Sequence, residues 1–363
     1  MARDYSRFLP PVSGGLVTTT KPSTPTDLER LGWQPFLAHQ VSVDDLRLTP
    51  PVRVVGVERS GLHVEGDGIS ADLPPRADVT VGDWLLHVAS RPGASRLLDR
   101  KSLFKRRAPG TGREVQLIAA NVDAVFIVTS CNQDFNLARL ERYVALAFEA
   151  EVEPVIVLTK ADLADDPAAY AREAARVSAA VPVVTLNALG DEAKALLKPW
   201  CRVGRTVAFL GSSGVGKSTL VNALSGFQRA ATGGIREDDD KGRHTTTSRQ
   251  LHLMSGGYAV LDNPGMRELQ LTDAAEGIAE LFADLTELAT ECRFSDCRHE
   301  TEPGCAIQAA LADGRIDEDR LNRWRKLQKE DAFNSASLAE RRERERAFGR
   351  MVRSIVKDKP SKR

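Results

Sequence analysis

Long apolar runs are missing from this 363-residue sequence: no stretch approaches the roughly 20 apolar residues that a membrane helix needs. No membrane partner is therefore expected. An apolar leader core is missing as well, since Arg3, Asp4 and Arg7 follow Met1 where an export signal would place one. The cytoplasm is the expected compartment. Cysteine is scarce, at five, and the odd number argues against a disulfide framework. Net charge is absent: 50 Lys and Arg balance 50 Asp and Glu, which taken alone argues against a nucleic-acid partner.

What is present is a soluble globular composition, 42% hydrophobic and 28% charged. The length implies two or three domains rather than one core. The zero charge hides segregation. Basic residues crowd positions 96–107 (Arg96, Arg100, Lys101, Lys105, Arg106, Arg107) and again 341–363, with an acidic run at 237–240 between them. Residues 1–30 open with a Pro-, Ser-, Thr- and Gly-rich stretch, so a flexible segment is expected there, with a short helix over 28–39.

From residue 52 to 88 short strands follow one another across Gly and Pro punctuation, with a Ser60-Gly61 turn and a Gly82-Asp83-Trp84 corner. Close-spaced strands with no helix between them predict a small β-barrel. The texture then changes. Residues 122–129 (VDAVFIVT) form a continuous apolar run, the mark of a strand buried on both faces. Further apolar runs at 155–158, 181–186, 207–210, 251–254 and 258–261 alternate in part with helical stretches at 137–149, 168–180 and 217–224. That alternation predicts a mostly parallel α/β sheet. From residue 280 helices are expected around a Cys/His cluster.

Residues 207–210 run into Gly211-Ser212-Ser213-Gly214-Val215-Gly216-Lys217-Ser218-Thr219, a G-x-x-x-x-G-K-S loop between a strand and a helix. Its glycines let backbone N–H groups turn inward around a phosphate at a helix N-terminus. Lys217 would bridge the β- and γ-phosphates and Ser218 would ligate Mg²⁺. Downstream, the strand ending in Asp262 leads to Asn263-Pro264-Gly265. Asp262 suits a Mg²⁺ contact, and the Gly265 amide suits the γ-phosphate. Between them, residues 242–247 (GRHTTT) supply hydroxyls, Thr246 among them, that could close on Mg²⁺. Met266 stands where many GTPases place a water-orienting Gln, so slow intrinsic hydrolysis is expected, with His244 the candidate catalytic group.

The base-reading signal lies upstream. The strand at 155–158 delivers Thr159-Lys160-Ala161-Asp162, close to N-K-x-D with Thr for Asn. Asp162 can accept from guanine N1 and N2 together, which adenine cannot satisfy, and Lys160 would lie over the ring. Asn187-Ala188, after the next strand, occupies the place that touches guanine O6. The base loop thus precedes the phosphate loop. A parallel sheet can be cut at one connection and rejoined elsewhere, so the strands predict a circularly permuted G domain.

Cys292-x4-Cys297-x-His299-x5-Cys305 offers three thiolates and an imidazole, a ligand set for one structural Zn²⁺. Cys131 and Cys201 read as packing residues. The basic stretches favour RNA contact.

In one order the chain carries Arg53-Val54-Val55, Gly82-Asp83-Trp84, Ala119-Ala120-Asn121-Val122-Asp123, Thr159-Lys160-Ala161-Asp162, the phosphate loop, Gly242-Arg243-His244-Thr245-Thr246 and Asp262-Asn263-Pro264-Gly265. Followed by the Cys₃His set, this resembles the ribosome small-subunit-dependent GTPase A (RsgA) family, over nearly all of the chain from about residue 31. The resemblance implies a multidomain α/β protein: an OB-fold barrel with basic linker (31–112), a permuted GTPase domain (113–272) and a helical zinc domain with basic tail (273–363). It also implies GTP hydrolysis stimulated by the small (30S) ribosomal subunit, in late maturation of that subunit, with rRNA contact. A monomer is expected. Thr159 for Asn and Asn187 for Ser depart from the family pattern where it bears on guanine affinity. The rival readings are a GTPase switch with a non-ribosomal protein partner, an ATP-dependent kinase or ATPase, and an RNA-binding protein with a vestigial nucleotide site.

Overall fold

The computed structural model describes residues 25–107, 115–225, 249–262 and 271–335. The expectations placed on His244, Thr246 and Gly265, and on the side chain of Asp262, lie outside what is described.

Two capping boxes start the described chain. Thr26 and Glu29 cap α1 (Asp27–Arg30), and Ser42 and Asp45 cap α3 (Val43–Leu48). Between them α2 (Pro35–Ala38) begins on its proline. One helix was expected over 28–39. Gly32 divides it: it follows the α1 cap at φ 94°, and a Cβ there would stand 2.7 Å from Arg53 Nη1.

Five antiparallel strands come next: β1 (Pro51–Val57), β2 (Leu62–Gly66), β3 (Ile69–Leu73), β4 (Trp84–Leu86) and β5 (Arg96–Leu97). β1 pairs β2 and β4, β2 pairs β3, and β4 pairs β5. Their period-two pattern turns Val52, Val54, Leu62, Val64, Leu73 and Leu85 into one buried cluster. A two-stranded sheet follows, β6 (Leu103–Arg107) with β7 (Val115–Ala120).

The remaining strands are β8 (Ala124–Ser130), β9 (Glu153–Thr159), β10 (Val183–Thr185), β11 (Thr206–Leu210), β12 (Arg249–Leu253) and β13 (Ala259–Asp262). They stand in the order β10-β9-β8-β11-β13-β12, parallel except for β12. Every residue of β8 and β11 is buried, as their continuous apolar runs require. Helices α4 (Leu137–Glu149), α5 (Pro167–Ala175), α6 (Glu192–Leu197) and α7 (Lys217–Ser225) accompany these strands. β11 lies between strands from earlier in the chain, on the β8 side, and later ones, on the β13 side. That is the order a permuted sheet demands. β12 also pairs β1, at Gly56↔Gln250 and Val57↔Arg249, so both sets of strands share one eleven-stranded sheet. Cys131 is buried here, and burial pushes the Cys201 thiol up to about 12, as suits packing residues.

Buried charges knit this unit together. Arg53 is 1% exposed, and burial pushes its pKa down to about 10, so it stays charged at neutral pH. Its guanidinium donates to the carbonyls of Leu31, Gly82 (3.3 Å) and Asn121 (3.1 Å), tying three distant segments. Gly82 cannot be replaced without movement, because a Cβ would lie 2.0 Å from Ala120 O. Asp123 accepts from Gln34 Nε2 (3.2 Å), Lys101 Nζ (3.0 Å) and the Thr206 amide (2.8 Å). Asp83, fully buried, takes a two-pronged pair from Arg100 at 2.7 and 2.8 Å. Two of the basic residues at 96–107, Arg100 and Lys101, thus pair with acids of this unit.

Among the described residues, a second compact unit takes 106–107, 115–116 and 271–335. Its helices are α8 (Ala275–Leu281), α9 (Ala283–Thr290), α10 (Ala306–Ala312) and α11 (Glu318–Ser335). Ile278, Phe282, Leu285, Ile307, Leu321, Trp324 and Leu327 are buried within it. No helix among the described residues is long and apolar enough to cross a membrane.

Arg53→Lys is expected to lower the unfolding free energy by about 2–3 kcal/mol, because one ammonium cannot reach three separated carbonyls. A urea midpoint equal to that of the wild type would contradict this.

Candidate functional site

The phosphate loop leaves β11 at Leu210 and enters α7 at Lys217. Gly211, at φ 141°, passes so close to β8 that a Cβ would meet Val128 O at 2.2 Å. Gly214 and Gly216 also have positive φ, which only glycine adopts without strain. Lys217 Nζ donates to the carbonyls of Gly211 (2.7 Å) and Ser212, so the ammonium is held over the loop. Ser218 and Thr219 occupy the first turn of α7, where backbone N–H groups favour an anion.

The other loop meets it from β9. Thr159 ends that strand, fully buried, and its hydroxyl donates to Val215 O at 2.6 Å. A Cβ on Gly216 would lie 3.6 Å from Thr159 and 3.7 Å from Ala188. Three segments separated in sequence thus converge on one place. Lys160 turns the chain at φ 56° into a short helical turn that carries the exposed Asp162. Asn187 Oδ1 accepts from the Leu189 amide at 2.9 Å, an Asx turn that holds Ala188 buried. Asp262 ends β13, one residue past the Ala208↔Leu261 pair, beside the strand that feeds the phosphate loop.

Sequence reasoning overlooked the end of β8. There the Cys131 amide donates to Thr159 O (2.9 Å), and Asn132 Oδ1 accepts from Ser130 Oγ (2.8 Å) and the Asp134 amide (2.9 Å). The signal was a Ser-x-Asn turn after a buried strand. It also overlooked Leu163 and Leu189, 76% and 84% exposed, one on the turn after Lys160 and one on the Asn187 turn.

In the second unit the four cluster residues come together. The ligand atoms of Cys292, Cys297, His299 and Cys305 all lie within 4.8 Å of one another. Cys292 Sγ stands 3.9 Å from Cys305 Sγ, and His299 Nδ1 stands 3.5 and 3.6 Å from those two sulfurs. Bonds of about 2.3 Å to sulfur and about 2.0–2.1 Å to nitrogen put tetrahedral neighbours about 3.5–3.8 Å apart. The group fits one Zn²⁺. Burial, then Arg325, lowers the His299 pKa, which favours the neutral ring a metal requires. Gln308 Nε2 (2.5 Å) and Arg325 hold the His299 carbonyl. The Glu302 carboxylate accepts from the amides of Arg298, Glu300 and Thr301, and those bonds hold its pKa down to about 2.

The loops after β9 and β11 meet on one parallel sheet in which β11 stands between earlier and later strands, the arrangement of a circularly permuted G domain. The RsgA GTPase family profile matches residues 97–272. A Vibrio parahaemolyticus protein, small ribosomal subunit biogenesis GTPase RsgA 2, is 50% identical over 343 residues, 93% of this chain and 95% of that one. The Mesorhizobium japonicum protein named small ribosomal subunit biogenesis GTPase RsgA is 51% identical over 328 residues, 88% and 93% of the two chains. Among solved structures, YjeQ from Thermotoga maritima superposes with a TM-score of 0.58 at 26% identity, over 76% of this chain and 96% of that one. YloQ, a circularly permuted GTPase, shares the fold with a TM-score of 0.54 at 20% identity, over 79% and 96%. This chain belongs to the RsgA GTPase family.

Cys297→Ser is expected to bring zinc content from about one per chain to well below it, with loss of helical signal on treatment with a chelator. Metal analysis and circular dichroism would read it, and a variant that keeps its full zinc complement would contradict the assignment.

Proposed function

We propose that this protein hydrolyses GTP to GDP and phosphate as a late maturation factor of the small ribosomal subunit in the cytoplasm, acting as a monomer. The observation that supports the reading is the Thr159–Val215 hydrogen bond, which joins the loop after β9 to the loop after β11. Identity of 50% across 95% of a small ribosomal subunit biogenesis GTPase supports the substrate and partner.

Each residue then has a task. Asp162 accepts from guanine N1 and N2, the backbone at Ala188 donates to O6, and Lys160 covers the ring. The amides of residues 211–217 cradle the β-phosphate, and Lys217 leaves its loop carbonyls for the β- and γ-phosphate oxygens. Mg²⁺ would be held by Ser218, Thr246 and Asp262 and would supply neutralisation of phosphate charge. The Gly265 amide would bind the γ-phosphate. Met266 cannot orient water, so His244 or a group supplied by the subunit does so. A zinc held by the Cys₃His set would be structural, since four protein ligands leave no open position. The division into a barrel over 31–112, a GTPase domain over 113–272 and a zinc domain over 273–363 belongs to the same proposal, as does rRNA contact by the basic tail.

GTP turnover should rise by more than about tenfold when purified small subunits are added, and high salt should abolish the rise. Ser218→Ala should lower the stimulated rate by at least about tenfold. Turnover indifferent to the subunits would refute the partner, and a fully active Ser218→Ala would refute the metal site.

A further inference from the structure

Thr159 stands where the N-K-x-D pattern has asparagine, and its surroundings say what the exchange does. The side chain is fully buried. Its hydroxyl lies 2.6 Å from Val215 O and 3.2 Å from Thr129 O. A hydroxyl has one hydrogen to donate, and two carbonyl oxygens already compete for it. An asparagine amide carries two, so it could serve a loop carbonyl and a base at once.

Around the guanine ring the polar positions run N2, N1, O6, N7, and the last two are acceptors. Asp162 meets N2 and N1, and the Ala188 turn meets O6. N7 is next round the ring. A guanine so held would turn N7 toward the phosphate loop, to which Thr159 is bonded through Val215, and both Thr159 and Ala188 come within 3.7 Å of a Cβ placed on Gly216. We infer that Thr159 is a positioning residue that fastens the base loop to the phosphate loop through Val215, and that guanine N7 goes unread in this protein. Selection for guanine then rests on Asp162 and the Ala188 turn.

The inference rests on the guanine-nucleotide reading above, and three ligands separate the two. Binding of GDP, 7-deaza-GDP and ADP to the full chain would be measured by calorimetry. GDP and 7-deaza-GDP should bind within about twofold of each other, and ADP should bind at least about a hundredfold more weakly. Thr159→Asn should create a preference for GDP over 7-deaza-GDP of about fivefold or more, because the amide has a hydrogen to spare. Thr159→Val, which leaves Val215 O unpaired, should weaken both guanine ligands alike by about tenfold, and Thr159→Ser should restore them. A wild-type preference for GDP over 7-deaza-GDP of fivefold or more would overturn the inference and leave the guanine reading intact. So would a Thr159→Asn variant blind to N7, or full affinity in Thr159→Val. ADP binding as tightly as GDP would remove the guanine reading and the inference together.

Discussion

A hydroxyl hydrogen bond of 2.6 Å, from Thr159 to the Val215 carbonyl, joins two loops whose residues lie 56 positions apart. Much depends on it. The loop at 159–162 and the loop at 211–217 can address one ligand only if β9 and β11 end at the same edge of the sheet, and β8 between them sets that spacing. Parallel pairing puts all three C-terminal ends together, the edge at which open α/β sheets place their ligands. Chain order is then irrelevant, because neighbouring strands, not consecutive ones, make the cleft.

The antiparallel strands at the chain's start are held to that sheet by main-chain pairing and by buried charge. β12 pairs β13 on one side and β1 on the other, so it is a shared rung. It also follows directly the Gly242–Thr247 stretch to which the sequence assigns Mg²⁺ contact. Arg53 and Asp123 add polar clamps whose partners come from separate segments. Such clamps are poor sources of net stability, since desolvation offsets much of the attraction. Their value lies in fixing one arrangement of segments.

Local pattern made much of this legible. Gly211, Gly214 and Gly216 declare themselves because all three take a positive φ that glycine adopts at no steric cost, and the apolar runs of β8 and β11 declare burial on both faces. Cysteine spacing forecast the gathering of Cys292, Cys297, His299 and Cys305. What was hidden is non-local. Arg100 and Lys101 look like surface charge in sequence, yet their partners Asp83 and Asp123 stand 17 and 22 residues away. Gly32 split an apparent helix through its approach to Arg53, which periodicity cannot reveal. The α3 turn was missed although Ser42-x-x-Asp45 spells a capping box, because it has only one buried apolar residue, Leu46.

The central claim is that Asp162 and Lys217, in reversed chain order, hold the two ends of one nucleotide. Exchange of the base-reading acid tests it most directly. Xanthine carries a carbonyl where guanine carries its N2 amine, so Asp162→Asn should pair with xanthine and reject guanine. Competition between GDP and XDP should show the wild type preferring GDP, and the variant preferring XDP, each by at least about a hundredfold. An Asp162→Asn protein that still chose GDP as the wild type does would contradict the account.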